Sequence, residues 1–304
     1  MQENNTISNS TSFALASKVK DYFQLIKFTL SFMVVFSTVV SYLLVPGVDF
    51  NLPKVLLLFV AGMLITGSAN SINQALEKDT DAMMLRTAKR PVASGRMSLT
   101  EAYVFAIITG ILGVGMMWYF FNAESAMVGL FSLIMYGLVY TPLKKVNSIA
   151  VLVGAIPGAL PCLIGWVAGF HDQPIAWAGG WILFAIQFIW QFPHFWAIAW
   201  LAHQDYSKAG FKLLPADKGP TRFTAVQSIM YSVMMIPVGI LPYISGMTGF
   251  ASLWIVLVCN LWMVYVSIML YVKMDAGAAR KVMFSSYFYL MIVFLSLYAD
   301  KIRG

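Results

Sequence analysis

Charged side chains are scarce in this chain: Asp, Glu, Lys and Arg make up 11% of its 304 residues, where a soluble domain carries about 25%. With 60% of residues hydrophobic, that shortage excludes a disordered chain and a cytosolic protein that binds nucleic acid. Cysteine is nearly absent, and Cys162 and Cys259 both lie in apolar runs. A secreted disulfide scaffold and a C-x-x-C metal or redox site are therefore excluded. The opening MQENNTISNSTSFALASKVKDY lacks the apolar middle of a cleavable signal peptide. Residues 1–22 thus read as a soluble tail and 23–304 as one membrane domain.

What the chain has in abundance is apolar length. A helix crossing a bilayer needs about 20 mostly apolar residues, and nine runs provide them: 25–46, 54–76, 100–121, 124–141, 148–169, 177–202, 223–247, 250–273 and 281–299. Gly154, Pro157, Gly158, Pro161 and Gly165 inside one run suit helices packed closely within lipid. The expected fold is an all-α integral membrane bundle of nine transmembrane helices. Basic residues then sort by side. Lys18, Lys20, Lys27, Lys78, Arg86, Lys89, Arg90, Arg96, Lys144, Lys145, Lys208, Lys212, Lys218, Arg222, Lys273, Arg280 and Lys281 fall on one face, and only Lys54, Lys301 and Arg303 on the other. The positive-inside rule makes the first face cytoplasmic, with the amino terminus inside, the carboxy terminus outside and the protein in the cytoplasmic (inner) membrane. Topology and contact with anionic membrane lipid account for Lys18, Lys20, Lys273, Arg280 and Lys281.

The few acids are not scattered. Glu77, Asp79 and Asp81 crowd the cytoplasmic end of the second span. Asn73, Glu77 and Asp81 are spaced by four, which on a helix drifts only about 40° per step and lines an amide and two carboxylates along one face, with Asn70 a turn deeper. Crowded carboxylates at a membrane face require a cation, and oxygen ligands suit Mg²⁺. Mg²⁺ takes few carboxylates and completes its shell with water and phosphate, so neighbouring Arg86, Lys89 and Arg90 point to a diphosphate. A second loop, after the sixth span, carries Asp205, Tyr206, Lys208, Lys212, Asp217 and Lys218. Second and sixth spans hold equivalent places in a four-plus-four pseudo-repeat, with the ninth added, and ligand sites of duplicated bundles lie between the halves. Asp205 and Lys208 are expected opposite Glu77 and Asp81.

The stretch Asn73-x-x-x-Glu77-x-Asp79-x-Asp81, with Arg86-Thr87, Arg90-Pro91 and Ser94-Gly95-Arg96, resembles the UbiA superfamily of intramembrane prenyltransferases. YTPLKKVN from Tyr140, AIPGALPCLIGW from Ala155, WQFPHFWAIAW from Trp190 and DYSKAGFKLLP from Asp205 are similar to its heme-farnesylating branch. The resemblance runs from about residue 24 to 295. It departs at Glu77, where Asp is more usual, and at Ala209, where many relatives have a second Asp.

The resemblance implies a UbiA-type bundle that transfers farnesyl from farnesyl diphosphate to a vinyl group of heme b, making heme O. Asn73, Glu77, Asp81, Asp205 and Lys208 become the catalytic candidates, with Glu77, Asp81 and Asp205 holding Mg²⁺. Substrate contacts fall to Asn70, Arg86, Lys89, Arg90, Tyr140, Lys144, Tyr206 and Lys212. Trp190, Phe192, Phe195 and Trp196 are candidates for sheltering an allylic cation. His194, inside the sixth span, and His203, at its end, are candidates for heme iron or phosphate, while His171 reads as exposed. Implied downstream partners are a heme A synthase or a terminal oxidase. Rival readings are prenylation of an aromatic quinone precursor, a membrane transporter and a heme-handling scaffold; acids at span ends beside Arg and Lys disfavour an ion path at mid-membrane.

Overall fold

The computed structural model of the protein describes residues 16–170, 173–214 and 219–302. The tail residues 1–15 and His171, Asp217, Lys218 and Arg303 lie outside them. Helices α1 (Ala16–Leu25), α2 (Phe28–Leu43), α3 (Leu52–Leu76), α4 (Lys78–Met83), α5 (Leu99–Phe120) and α6 (Ala123–Ile134) are followed by a π-helical stretch, Met135–Tyr140, and the short α7 (Thr141–Leu143). Then come α8 (Ile149–Ala168), α9 (Trp177–Leu201), α10 (His203–Lys208), α11 (Arg222–Ile244), α12 (Phe250–Lys273) and α13 (Ala276–Ala299). Eight stretches are each long and apolar enough to cross a bilayer, and α1 with α2, bent by 53°, makes a ninth among the described residues. The last span starts at Ala276 rather than 281 because the Asp275 side chain accepts the Ala278 N–H and caps the helix.

The two halves meet along α8, which packs against α2 and α6 on one side and α9 on the other. Helix α13 seats on α9, α12 and α2. The close approach of α8 to α2 rests on Gly165, since a Cβ there would collide with the Thr38 carbonyl. Proline inside α8 is tolerated because a freed carbonyl finds a donor: Pro161 has no N–H for Pro157 O, and Ser132 Oγ donates to it at 3.3 Å.

The second and sixth spans end alike. Helix α3 stops at Glu77 (φ −96°, ψ 12°) and a six-residue helix follows; α9 stops at Ala202 (φ −98°, ψ 12°) and another six-residue helix follows. The expected equivalence of these loops therefore has a backbone counterpart. The break between α1 and α2 is held by the polar face of α3. Gln74 Nε2 donates to the carbonyls of Gln24 (2.8 Å) and Leu25 (2.9 Å), and Asn70 Nδ2 to that of Ile26 (3.2 Å) and to Ser31 Oγ (3.0 Å). Within this break Lys27 takes the left-handed backbone conformation, φ 49°.

Gly165→Ala is expected to cost on the order of 1–3 kcal/mol, as inserted volume does in a tight core, and to lower the detergent-solubilised unfolding temperature. Gly115→Ala, with open space around it, serves as the control and is expected to leave it unchanged.

Candidate active site

A pocket of about 180 Å³ opens where α3, α4, the α7–α8 connection, α9 and α10 converge, lined by Lys27, Glu77, Asp81, Arg86, Thr87, Arg90, Tyr140, Lys144, Phe195, Tyr206 and Phe211. Its charge is decided by short contacts. Arg90 Nη1 lies 2.8 and 2.7 Å from Asp81 Oδ1 and Oδ2, and Lys144 Nζ lies 2.9 Å from Glu77 Oε1. Both acids and Lys144 are buried. Burial alone would push the Glu77 carboxyl up, but Lys144, Lys27 and Arg90 outweigh it and hold it below its ordinary value. Burial would likewise depress Lys144, and Glu77 reverses that, so its ammonium titrates above its ordinary value. The pair is thus ionised at neutral pH. Arg86, Arg90 and Lys144 face two carboxylates, and Lys27 Nζ, held by Asn73, adds a further donor, so the basic groups lining the pocket outnumber its acids and favour an anion.

Cations here are also held by aromatic rings. Lys144 Nζ lies 4.5 Å from the centre of the Tyr140 ring and 5.7 Å from that of Phe211, and the Arg86 guanidinium lies 5.4 Å from that of Tyr206 while donating to its hydroxyl at 2.9 Å. These contacts orient the basic groups without neutralising them.

The structure uses the sequence candidates unequally. Glu77, Asp81, Arg86, Arg90, Tyr140, Lys144 and Tyr206 come together in the pocket. Asp205 sits beside it, its Oδ2 3.4 Å from the Arg86 main-chain nitrogen. Counting from the two caps, Asp81 is the fourth residue after Glu77 and Tyr206 the fourth after Ala202, which is why the Tyr206 ring takes the inward place and Asp205 falls one position short. His203 and Lys212 line an adjoining hollow of about 310 Å³ that shares Tyr206 and Phe211 with the pocket. Lys89 and Lys208 are exposed, and neither lines the pocket. Asn70 joins α3 to the helix break, and Asn73 accepts from Lys27 Nζ at 2.6 Å while donating to Thr141 Oγ1 at 3.1 Å. Both amides hold the cradle together, and Asn73 aims Lys27. His194 is buried, its Nδ1 2.8 Å from Ser286 Oγ and its ring stacked on Trp190. Of the four aromatic candidates Phe195 lines the pocket; Phe192 and Trp196 pack around Tyr231, and Trp190 Nε1 donates to the Ser286 carbonyl.

Lys27 had no role in the reading of the motifs beyond its place in the charge count. Its signal is a lone lysine inside the start of the first apolar run, four residues before Ser31. Next to the pocket, sharing Leu30 with it, lies an apolar cavity of about 80 Å³ lined by Val34, Ile65, Tyr136, Pro161, Ile164 and others. Among the described residues no three Asp, Glu, His or Cys side chains cluster as a metal site. Two carboxylates with room for phosphate oxygens nonetheless match Mg²⁺, which binds through one or two carboxylates plus substrate.

The UbiA prenyltransferase family matches residues 34–294. The chain belongs to the UbiA prenyltransferase family. Within this family it is 40% identical to a protoheme IX farnesyltransferase of Cytophaga hutchinsonii, covering 95% of this chain and 100% of that one. It is 41% identical to one of Flavobacterium psychrophilum, covering 94% and 96%. Among solved structures, a digeranylgeranylglyceryl phosphate synthase matches with a TM-score of 0.75 at 21% identity over 93% of this chain and 98% of that one. A UbiA homolog from Archaeoglobus fulgidus bound to GPP and Mg²⁺ matches with a TM-score of 0.62 at 16% identity over 91% and 99%. The fold is that of the family.

Lys144→Met leaves Glu77 buried without its counter-ion and is expected to cost about 3–5 kcal/mol. The double variant Glu77→Gln/Lys144→Met is expected to recover most of that loss, read by denaturation in detergent.

Proposed function

We propose that this chain transfers the farnesyl group of farnesyl diphosphate to a vinyl group of heme b: one vinyl carbon bonds to the allylic carbon as diphosphate leaves, and water adds to the other vinyl carbon with loss of a proton, yielding the hydroxyethylfarnesyl side chain of heme O. The supporting observation is similarity at 40% identity over 95% of the chain to a protein named protoheme IX farnesyltransferase, joined to a pocket whose basic side chains outnumber its carboxylates. The protein is placed in the cytoplasmic membrane, amino terminus inside and carboxy terminus outside, which puts the pocket on the cytoplasmic face where basic residues concentrate.

The difficult step is departure of diphosphate from an allylic carbon, during which negative charge grows on the leaving oxygens. Arg86, Arg90, Lys144 and Lys27 stabilise that charge, as donors already aimed at the place where it develops. Glu77 and Asp81 would hold Mg²⁺, with Asp205 of the other half standing beside the pocket. Bound there, Mg²⁺ supplies Lewis-acid neutralisation of the diphosphate. Arrival of the anion lets Arg90 and Lys144 exchange part of their carboxylate contacts for phosphate contacts, so the substrate enters prepaired charges. Lys212, in the adjoining hollow, acts as a point charge toward the entering anion. The isoprenoid chain extends past Leu30 into the apolar cavity, and Phe195 with Tyr140 keeps water from the allylic carbon. His203, in the hollow that adjoins the pocket, is the histidine placed to meet an acceptor, while His194 is held within the bundle by Ser286. A heme A synthase or terminal oxidase is the expected consumer of the product.

Purified protein given heme b, farnesyl diphosphate and Mg²⁺ is expected to produce a farnesylated heme by mass spectrometry, and chelation is expected to stop the reaction until Mg²⁺ is returned. Prenylation of an aromatic acid with heme left unchanged would move the protein to another branch of the family. Asp81→Asn is expected to lower turnover by about 10²–10³, the loss typical when one element of transition-state electrostatics is removed, and Asp205→Asn to lower it as well. Full activity in Asp81→Asn would contradict its assigned role.

A further inference from the structure

The last two spans enclose a groove that the reaction does not use. It measures about 910 Å³, several times the catalytic pocket, and is walled by Val258, Trp262 and Tyr265 of α12 and by Phe284, Phe288 and Ile292 of α13. Trp262 Nε1 donates to Ser285 Oγ at 2.9 Å across the two helices, so the walls are tied part-way along. Exposed apolar side chains are ordinary on a bilayer-facing helix and by themselves indicate nothing. The mouth of the groove is different. Lys273, Arg280 and Lys281 all line it and all are exposed. Among the described residues none of the three belongs to an ion pair. The one acid beside them, Asp275, also lines the mouth, its Oδ1 accepting the Ala278 N–H at 2.7 Å as the cap of α13, so the three bases outnumber it. Three cations thus stand at one end of an apolar slot.

Depth and side agree with this polarity. From Lys273 to Val258 is fifteen residues of helix, about 22 Å at 1.5 Å per residue, and one leaflet with its headgroups is about 20–22 Å, half of a 40–45 Å bilayer. The α12–α13 connection follows the eighth span, so it emerges on the same side as the loops after the second and sixth spans.

We propose that this groove is a binding site for one anionic phospholipid from the leaflet on the catalytic side. The phosphate sits among Lys273, Arg280 and Lys281, and the acyl chains lie along the aromatic walls between α12 and α13. The site is separate from the catalytic pocket and does not depend on which acceptor the enzyme prenylates.

To test it, the full chain is purified in mild detergent, stripped of lipid, offered phosphatidylglycerol and phosphatidylcholine with identical acyl chains, and weighed by native mass spectrometry. One phosphatidylglycerol is expected to be retained over phosphatidylcholine by at least about fivefold, the factor that one Lys or Arg near an anionic surface supplies. Lys273→Gln/Arg280→Gln/Lys281→Gln is expected to abolish the preference, and Lys273→Arg/Arg280→Lys/Lys281→Arg to keep it. Should the neutralised variant fail to fold, loss of the preference at high salt in the native chain reads the same interaction. Equal retention of the two lipids overturns the proposal, as does a preference that survives both neutralisation and salt. Displacement of phosphatidylglycerol by a stoichiometric farnesyl thiodiphosphate also overturns it, because the groove would then belong to the prenyl donor.

Discussion

Glu77 and Asp81 are buried, and an ionised group taken out of water persists only beside opposite charge. The structure answers with Lys144 on one and Arg90 on the other, then adds Lys27 and Arg86 to the same pocket. A pocket balanced in charge would be a structural ion-pair network; one with basic groups to spare attracts an anion.

The surrounding architecture exists to hold these groups still. The π-helical stretch and α7 present Tyr140 and Lys144. The break between α1 and α2 presents Lys27, and four hydrogen bonds from Asn70 and Gln74 satisfy the main-chain and hydroxyl groups near it. The loop after α4 is fastened from below: Arg96 donates to Asp21, Gln24 and the Lys89 carbonyl, joining α1 to the segment that carries Arg86 and Arg90. Such cross-connections leave little freedom for a basic side chain to relax away when the anion departs.

The membrane bundle was legible because lipid permits so few solutions: runs of apolar length must be helices, and their number follows by counting. Glu77 and Asp81 were legible because so few acids occur that three within five residues stand out. The helical-face argument brings Glu77 and Asp81 together, and the structure does so by another route, since α3 ends at Glu77 and Asp81 stands on a separate short helix. Asn70 and Asn73 look like ligands in a sequence, yet the unsatisfied carbonyls of a helix break and the Lys27 ammonium claim them. That demand comes from tertiary structure and leaves no local pattern. Lys27 was hidden for the related reason that a lysine beside a span is ordinarily an interfacial charge. The exchange of roles between Asp205 and Tyr206 turns on one residue of register after a cap, finer than any sequence periodicity resolves. For His194 the burial cost was evident, and Ser286, which meets it, lies 92 residues away.

The convergence of Glu77 and Asp81 on a metal-bound diphosphate is tested most directly by replacing Mg²⁺ with Mn²⁺ and recording electron–nuclear double resonance in the presence of farnesyl thiodiphosphate. The account predicts a phosphorus-31 coupling of directly ligated phosphate, lost when both Glu77 and Asp81 are changed to amides. A manganese signal with water ligands alone, or a phosphorus coupling indifferent to both carboxylates, would contradict it.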